Sequence, residues 1–130
     1  MTEPLTAYDF AVLRAVPHVH LGAFVPVGVL VHARQAGFLG LLALTSESTL
    51  RERVPSVDVG LLAKYLRTME RLAAGDVQAG PIALAPTSER FHWLTAPRSD
   101  VLQSSPVHEG LCDGEPSRML ARLFAEYVAG

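Results

Sequence analysis

Phe24-Val25-Pro26-Val27-Gly28-Val29-Leu30-Val31-His32-Ala33 is the stretch whose reading decides the fold. Valine stands at positions 25, 27, 29 and 31. Side chains alternate across a strand, so this spacing predicts a β-strand with all four valines on one core-facing side. The even side, with Phe24, Pro26, Gly28, Leu30 and His32, is mixed. Pro26 has no N–H to give to a neighbour, which predicts an edge strand or a bulge there. Gly28 points to a bulge or to the close approach of another backbone.

Working outward, Arg34-Gln35-Ala36-Gly37 reads as a turn into a third strand over 38–44. Upstream, residues 8–16 read as a strand with Tyr8, Phe10 and Val12 on one face and Ala11, Leu13 and Ala15 on the other. Residues 25–44 are long enough to span a bilayer, but His32, Arg34 and Gln35 sit near the middle. A central Arg alone costs about 2.5–3.5 kcal/mol on insertion, so two strands and a hairpin are expected, not a membrane span.

Downstream the period changes. Thr49-Leu50-Arg51-Glu52 matches a capping box and starts a short helical turn that Pro55 stops. Ser56 or Asp58 can cap a long helix to Ala74, with Leu62, Tyr65, Leu66, Met69, Leu72 and Ala73 as its apolar stripe and Gly75 beyond its end. Its Lys64, Arg67, Glu70 and Arg71 read as a solvated face. Pro81, Pro86, Pro97 and Pro106 break the next stretch, so loops joining short strands over 91–95 and 101–104 are expected. A last helix over 116–128 has Leu120, Leu123, Phe124, Tyr127 and Val128 as its stripe. Strands first and helices later predict an α+β fold: an antiparallel sheet of three or more strands, covered on one face by two main helices. One apolar cluster of Val25, Val27, Val29, Val31, Leu62, Leu66, Met69, Leu123 and Phe124 follows from that reading.

The 130 residues are 49% hydrophobic and 18% charged with a net charge of −2, which fits one globular domain over 1–130 and excludes a disordered chain. Eleven Lys and Arg against thirteen Asp and Glu leave no basic stripe, so nucleic acid is not an expected partner. Cys112 is the single cysteine, which suits a reducing cytoplasm, and Met1-Thr2-Glu3-Pro4 does not read as the start of a signal peptide.

No phosphate loop, dinucleotide fingerprint or nucleophile elbow occurs, so no cofactor is expected. His18 and His20, with His32 on the next strand, or His108 with Cys112 and Asp113, lack the paired spacing of a zinc site, and no metal is expected. His108 lies four residues from Cys112, but the thiol reads as a buried structural group. The segment Ser88-Glu89-Arg90-Phe91-His92-Trp93-Leu94-Thr95-Ala96-Pro97-Arg98-Ser99 is the densest in chemistry. On a strand, Phe91 and Trp93 face one side and Arg90 and His92 the other. Arg98, Ser99, Gln103, Ser105 and His108 follow within loop reach. Arg90, His92, Arg98, Ser99 and His108 are therefore the candidate ligand-binding residues, a set of donors suited to an anion. The competing reading puts Trp93 in the core and gives Arg90 and Arg98 to loop carbonyls or to acidic neighbours such as Glu89 and Asp100.

Tyr8-Asp9-Phe10-Ala11-Val12-Leu13-Arg14-Ala15-Val16-Pro17, Gly22-Ala23-Phe24-Val25-Pro26-Val27-Gly28-Val29, the 88–99 segment and Gln103-Ser104-Ser105-Pro106-Val107-His108-Glu109-Gly110 resemble a bacterial family known as domain of unknown function 3037. The resemblance runs over about 7–128. It departs from the family at Pro26, where an Asn is common, and at Leu21 and Ala23, where charged residues are common. It implies no activity. It does imply a partner role, because some members look to be encoded beside HipA-like kinases.

The expected function is a small cytoplasmic binding or interaction module, an accessory partner of a HipA-like kinase, with an anion-binding surface. The alternative is a small enzyme acting on an anionic substrate, with His92 or His108 as acid and base and Arg90 and Arg98 as clamps. A third reading is a homodimer joined through Phe24, Leu30 and Phe38.

Overall fold

The structure, a computed structural model, describes residues 5–17, 23–97 and 101–129. Strands β1 (Thr6–Ala15), β2 (Val25–Ala33) and β3 (Phe38–Ala43) come first. Helices α1 (Glu47–Arg53), α2 (Val59–Ala73) and α3 (Thr87–Leu94) follow, with two 3-10 turns between α2 and α3. Strands β4 (Leu102–Ser104) and β5 (His108–Cys112) then lead to α4 (Pro116–Phe124), which runs on into a wider turn at Ala125–Ala129. The sheet is antiparallel, in the order β3-β2-β1-β4, and β5 also pairs with β1. This is one α+β domain.

Local chemistry accounts for the element ends. Gly37 closes the β2–β3 turn at φ 65°, a conformation that favours glycine. Asp58 caps α2 by accepting from the Leu61 N–H at 3.1 Å, and Gly75, at φ 81°, ends that helix. The stripe Leu62, Leu66, Met69, Leu72 and Ala73 is buried as expected, while Tyr65 stays exposed. The Glu70 carboxylate accepts from the Ala43 N–H at 3.2 Å and so ties α2 to the end of β3.

Pro26 does not mark an edge, because β2 lies between β3 and β1. It marks a bulge. Leu13 pairs with Gly28 and Arg14 with Pro26, which leaves Val27 as an extra residue in β2. An extra residue reverses the side to which the following residues point. The four valines are therefore divided, contrary to the alternation rule. Val27 packs with Leu13, Leu30, Leu62, Leu66 and Met69, and Val25 rests against that cluster. Val29 and Val31 pack on the other face with Phe10, Val12, Leu120 and Leu123. The expected single cluster is two, one on each face.

The helices are divided in the same way and do not share one face. α2 and α3 cover the face of Leu13, Ala15, Leu30, Leu39 and Leu41, and α4 covers the face of Tyr8, Phe10, Val12, Val29 and Val31. Gly40 lets α4 approach β3, since a Cβ there would lie 2.7 Å from Phe38 Cζ and 2.8 Å from Leu120 Cδ2. The Arg53 guanidinium of α1 donates to the Val128 carbonyl and holds the C-terminal turn. Leu30 is fully buried and Phe38 packs beside the α4 cluster, so of the three residues expected to join two copies only Phe24 stands exposed.

β1 is paired in two parts. Leu13–Ala15 meets β4, and residues 6–10 meet β5. Ser105 fills the break between them. Its N–H donates to the Val12 carbonyl at 2.8 Å, and its Oγ accepts from the Val12 N–H at 2.9 Å. Ser105, weighed in the sequence as a ligand donor, is thus a buried part of the sheet.

Three outcomes follow for urea denaturation. Leu66→Ala should lose about 2–5 kcal/mol of stability. Gly40→Ala should lose about 1–3 kcal/mol by overpacking against Leu120. Ser105→Ala should lose about 1–3 kcal/mol, because it leaves the buried Val12 N–H without an acceptor.

Candidate functional site

The segment 91–95, expected as a strand, lies in helix α3. Thr87-Ser88-Glu89 after Pro86 is a usual first helical turn, and Phe91 and Leu94, three apart, are the residues it buries. At helical spacing Arg90 and His92 no longer share a side. Phe91 is buried, whereas Trp93 is exposed and not in the core. Arg90 is occupied internally. Its Nη1 donates to the Ala85 carbonyl at 2.6 Å, and its Nη2 to the Ala73 carbonyl at 3.3 Å, where it satisfies the C-terminal end of α2. His92 is exposed on α3. His108 opens β5 opposite Phe10, with the two rings 5.2 Å apart, and so belongs to the α4 side of the sheet. Arg90 and His92 lie with α3 on the other side. The structure does not bring Arg90, His92 and His108 to one surface. Arg98 and Ser99, like His18 and His20, lie outside the described residues.

What the structure does assemble is a row of titratable groups. Asp9 in β1 pairs with His32 in β2 and with Glu109 in β5. Directly paired residues of an antiparallel sheet share a face, so Glu109, Asp9 and His32 line up across three strands. They lie on the face that α2 and α3 cover elsewhere. Here that cover runs out, and a cavity of about 500 Å³ opens, lined by Ala7, Asp9, His32, Arg34, Glu109 and Leu111 among others. The row goes from buried to open. His32 is 5% exposed, Asp9 is half-buried, and Glu109 is exposed on β5.

Phe91 of α3 stacks on the His32 ring with centroids 5.2 Å apart and planes 26° from parallel. His32 Nε2 faces the Thr87 hydroxyl at 3.4 Å, longer than a well-formed bond to a hydroxyl. Burial pushes the imidazole below its usual pKa, Asp9 pulls it back up, and Arg34 and Arg90 push it further down. The ring is therefore neutral at pH 7 and has one acceptor nitrogen. His32 was legible as a residue on the mixed face of β2. Its neighbours were not, because β5 carries no apolar alternation, and Asp9 and Glu109 are 100 positions apart in the chain.

Other cavities differ in character. One of about 330 Å³ between α2 and β4 is apolar and exposes Leu61, Tyr65 and Val101. A larger one of about 630 Å³ at the start of α4 is lined by Thr6, Asp113, Glu115 and Arg118, and none of these side chains is buried. Among the described residues no group of three His, Cys, Asp or Glu side chains is placed to hold a metal ion. Cys112 is buried and donates to the Gly114 carbonyl at 3.5 Å, a structural thiol. No helix among the described residues is long and apolar enough to cross a membrane.

Two outcomes test this assignment. Arg90→Ala should lower the unfolding free energy by about 1.5–3 kcal/mol, and inorganic phosphate should raise the melting temperature of the variant as little as that of the native chain. For His32 the folded-state pKa lies below that of the unfolded chain. The unfolded chain then binds more protons between the two values, so stability falls as pH drops below about 6.5 and levels off beneath the folded pKa. Denaturation at stepped pH should show this slope, and His32→Gln should flatten it. Glu70, raised by burial, acts with the opposite sign from about pH 4.5 upwards, as its carboxylate ionises.

Comparison with known proteins gives one match. No curated protein and no solved structure matches the chain. A family model described as protein of unknown function (DUF3037) matches residues 10–128, which include β2 with its bulge, α3 and the whole of β5. The chain belongs to the DUF3037 family.

Proposed function

We propose that this domain is a binding module that presents the open corner of its sheet, around Asp9, His32 and Glu109, to a ligand. One observation carries the reading. A row of three titratable side chains runs from a buried imidazole to an exposed carboxylate inside one cavity, over an apolar floor of Ala7 and Leu111. A few convergent polar groups on an apolar surface are the usual make-up of a small-molecule site. Binding is favoured over catalysis because, among the described residues, no third group orients the one hydroxyl–imidazole contact at the corner, Thr87 with His32 at 3.4 Å, as an activated nucleophile needs. Of the two Arg clamps expected for an enzyme acting on an anion, Arg90 is already engaged, since it serves two backbone carbonyls. A cytoplasmic location in a bacterium, and an accessory role beside a kinase-like protein, belong to this proposal; a partner of that kind would meet the module at the same corner.

Chemical-shift mapping of the nitrogen-labelled chain against a library of small metabolites tests it. Binders should shift the amides of Ala7, Asp9, His32, Glu109 and Leu111 together. Shifts confined to Leu61, Tyr65 and Val101 would move the site to the apolar groove, and steady turnover of a library compound would replace the binding reading with a catalytic one.

A further inference from the structure

We infer that the outer edge of β3 pairs with β3 of a second copy of this chain, so that the two sheets join into one. β3 stands at the end of the sheet opposite β5, and the inference does not depend on what the corner around Asp9, His32 and Glu109 binds.

The register settles which way each backbone group of β3 points. The Leu44 N–H donates to the Val27 carbonyl at 2.8 Å. The pairing then runs without a shift through Val29–Leu42, Val31–Gly40 and Ala33–Phe38. Antiparallel pairs alternate between those that exchange hydrogen bonds and those that do not. Phe38, Gly40 and Leu42 therefore turn their N–H and C=O groups to β2, and Leu39, Leu41 and Ala43 turn theirs outward. The Ala43 N–H agrees, since it is taken from outside by the Glu70 carboxylate at 3.2 Å. Among the described residues the N–H groups of Leu39 and Leu41 have no acceptor. An open row of this kind invites another strand.

β3 also lacks the features that keep natural edges apart, which are shortness, charge and proline. β4 is three residues long, and β5 carries Glu109. β3 runs for six residues, Phe38-Leu39-Gly40-Leu41-Leu42-Ala43, with no charge and no proline. α2 packs on one of its faces through Leu39 and Leu41, and α4 on the other through Leu120 beside Gly40, which leaves the edge between them.

The row fits a second copy because it is its own complement. Two antiparallel β3 strands centred on Gly40 set Leu39 of each copy against Leu41 of the other. Those pairs exchange both hydrogen bonds, so the outward N–H and C=O of both residues are used in both copies. At the centre, Gly40 meets Gly40 in the close position, where Cα atoms approach to about 4.5 Å and neither residue has a side chain to collide. On either side Phe38 comes opposite Leu42 of the other copy, on the α4 face. Leu42 is 36% exposed and Phe38 half-buried, and each covers apolar surface of the other. Centring on Leu41 instead would ask Ala43 for a donor already given to Glu70. The contact is two-fold and closes on itself.

The test is sedimentation equilibrium of the full chain together with amide hydrogen exchange, each from about 10 µM to about 1 mM. A reversible monomer–dimer equilibrium is expected. The Leu39 and Leu41 amides should exchange at least about tenfold more slowly at the highest concentration than at the lowest, and those of Gly40 and Leu42, already bonded to β2, should slow by less. Leu42→Lys places a charge at an exposed edge position and should raise the dissociation constant of the dimer at least about tenfold. The exchange measurement uses the native chain, so it holds even if the variant folds poorly. A chain still monomeric at about 1 mM would overturn the inference. So would a dimer in which Leu39 and Leu41 exchange as fast as in the monomer, or one that a folded Leu42→Lys variant forms as tightly as the native chain.

Discussion

The extra residue at Val27 reverses the side to which β2 points, and the packing of both layers depends on that reversal. Before the bulge, Val25 and Val27 join the α2 cluster; after it, Val29, Val31 and Ala33 join the α4 cluster. Leu30 and His32 are turned to the α2 and α3 side as a result. A strand buried on both faces is then possible in the middle of the sheet, and one thin domain gains two apolar layers. Pro26 is tolerated in a central strand because the bulge interrupts the ladder at that point.

The same reversal builds the candidate site. It brings His32 onto the face of Asp9 and Glu109 and under the ring of Phe91. α2 and α3 lie against the Leu13, Leu30, Leu39 and Leu41 part of that face and leave the end beside β5 bare. An uncovered sheet face normally carries polar side chains simply to meet water. This one differs in having a buried imidazole at its inner end, held neutral by burial, and an ion-pair-free carboxylate pair beside it.

Much of the fold was legible in the sequence. The strands at β1 to β3, the turn at Gly37, the Asp58 cap and the α2 stripe all follow from period and capping chemistry. Pro26 and Gly28 announce the bulge, but strict alternation through residues 25–31 carries no sign of its consequence and puts all four valines on one face. Residues 91–95 were misread because a short helix burying only Phe91 and Leu94 has an apolar spacing that a strand can imitate. β5 left no trace because only Cys112 of its five residues is buried; it pairs because β1 needs a partner along its outer side. The site was the least legible part. The dense run of Arg, His and Trp drew attention, yet Arg90 proved to be an internal cap for α2. The residues that do converge come from three strands far apart in the chain.

Methyl–methyl nuclear Overhauser contacts in a chain labelled at valine and leucine test the central claim most directly, because they report which face each valine occupies. Val27 is expected to contact Leu62 and Leu66 and no residue of α4, while Val29 and Val31 are expected to contact Leu120 and Leu123 and no residue of α2. Contacts from all four valines to the same helix would contradict the bulge, the two-layer packing and the placement of His32 beside Asp9.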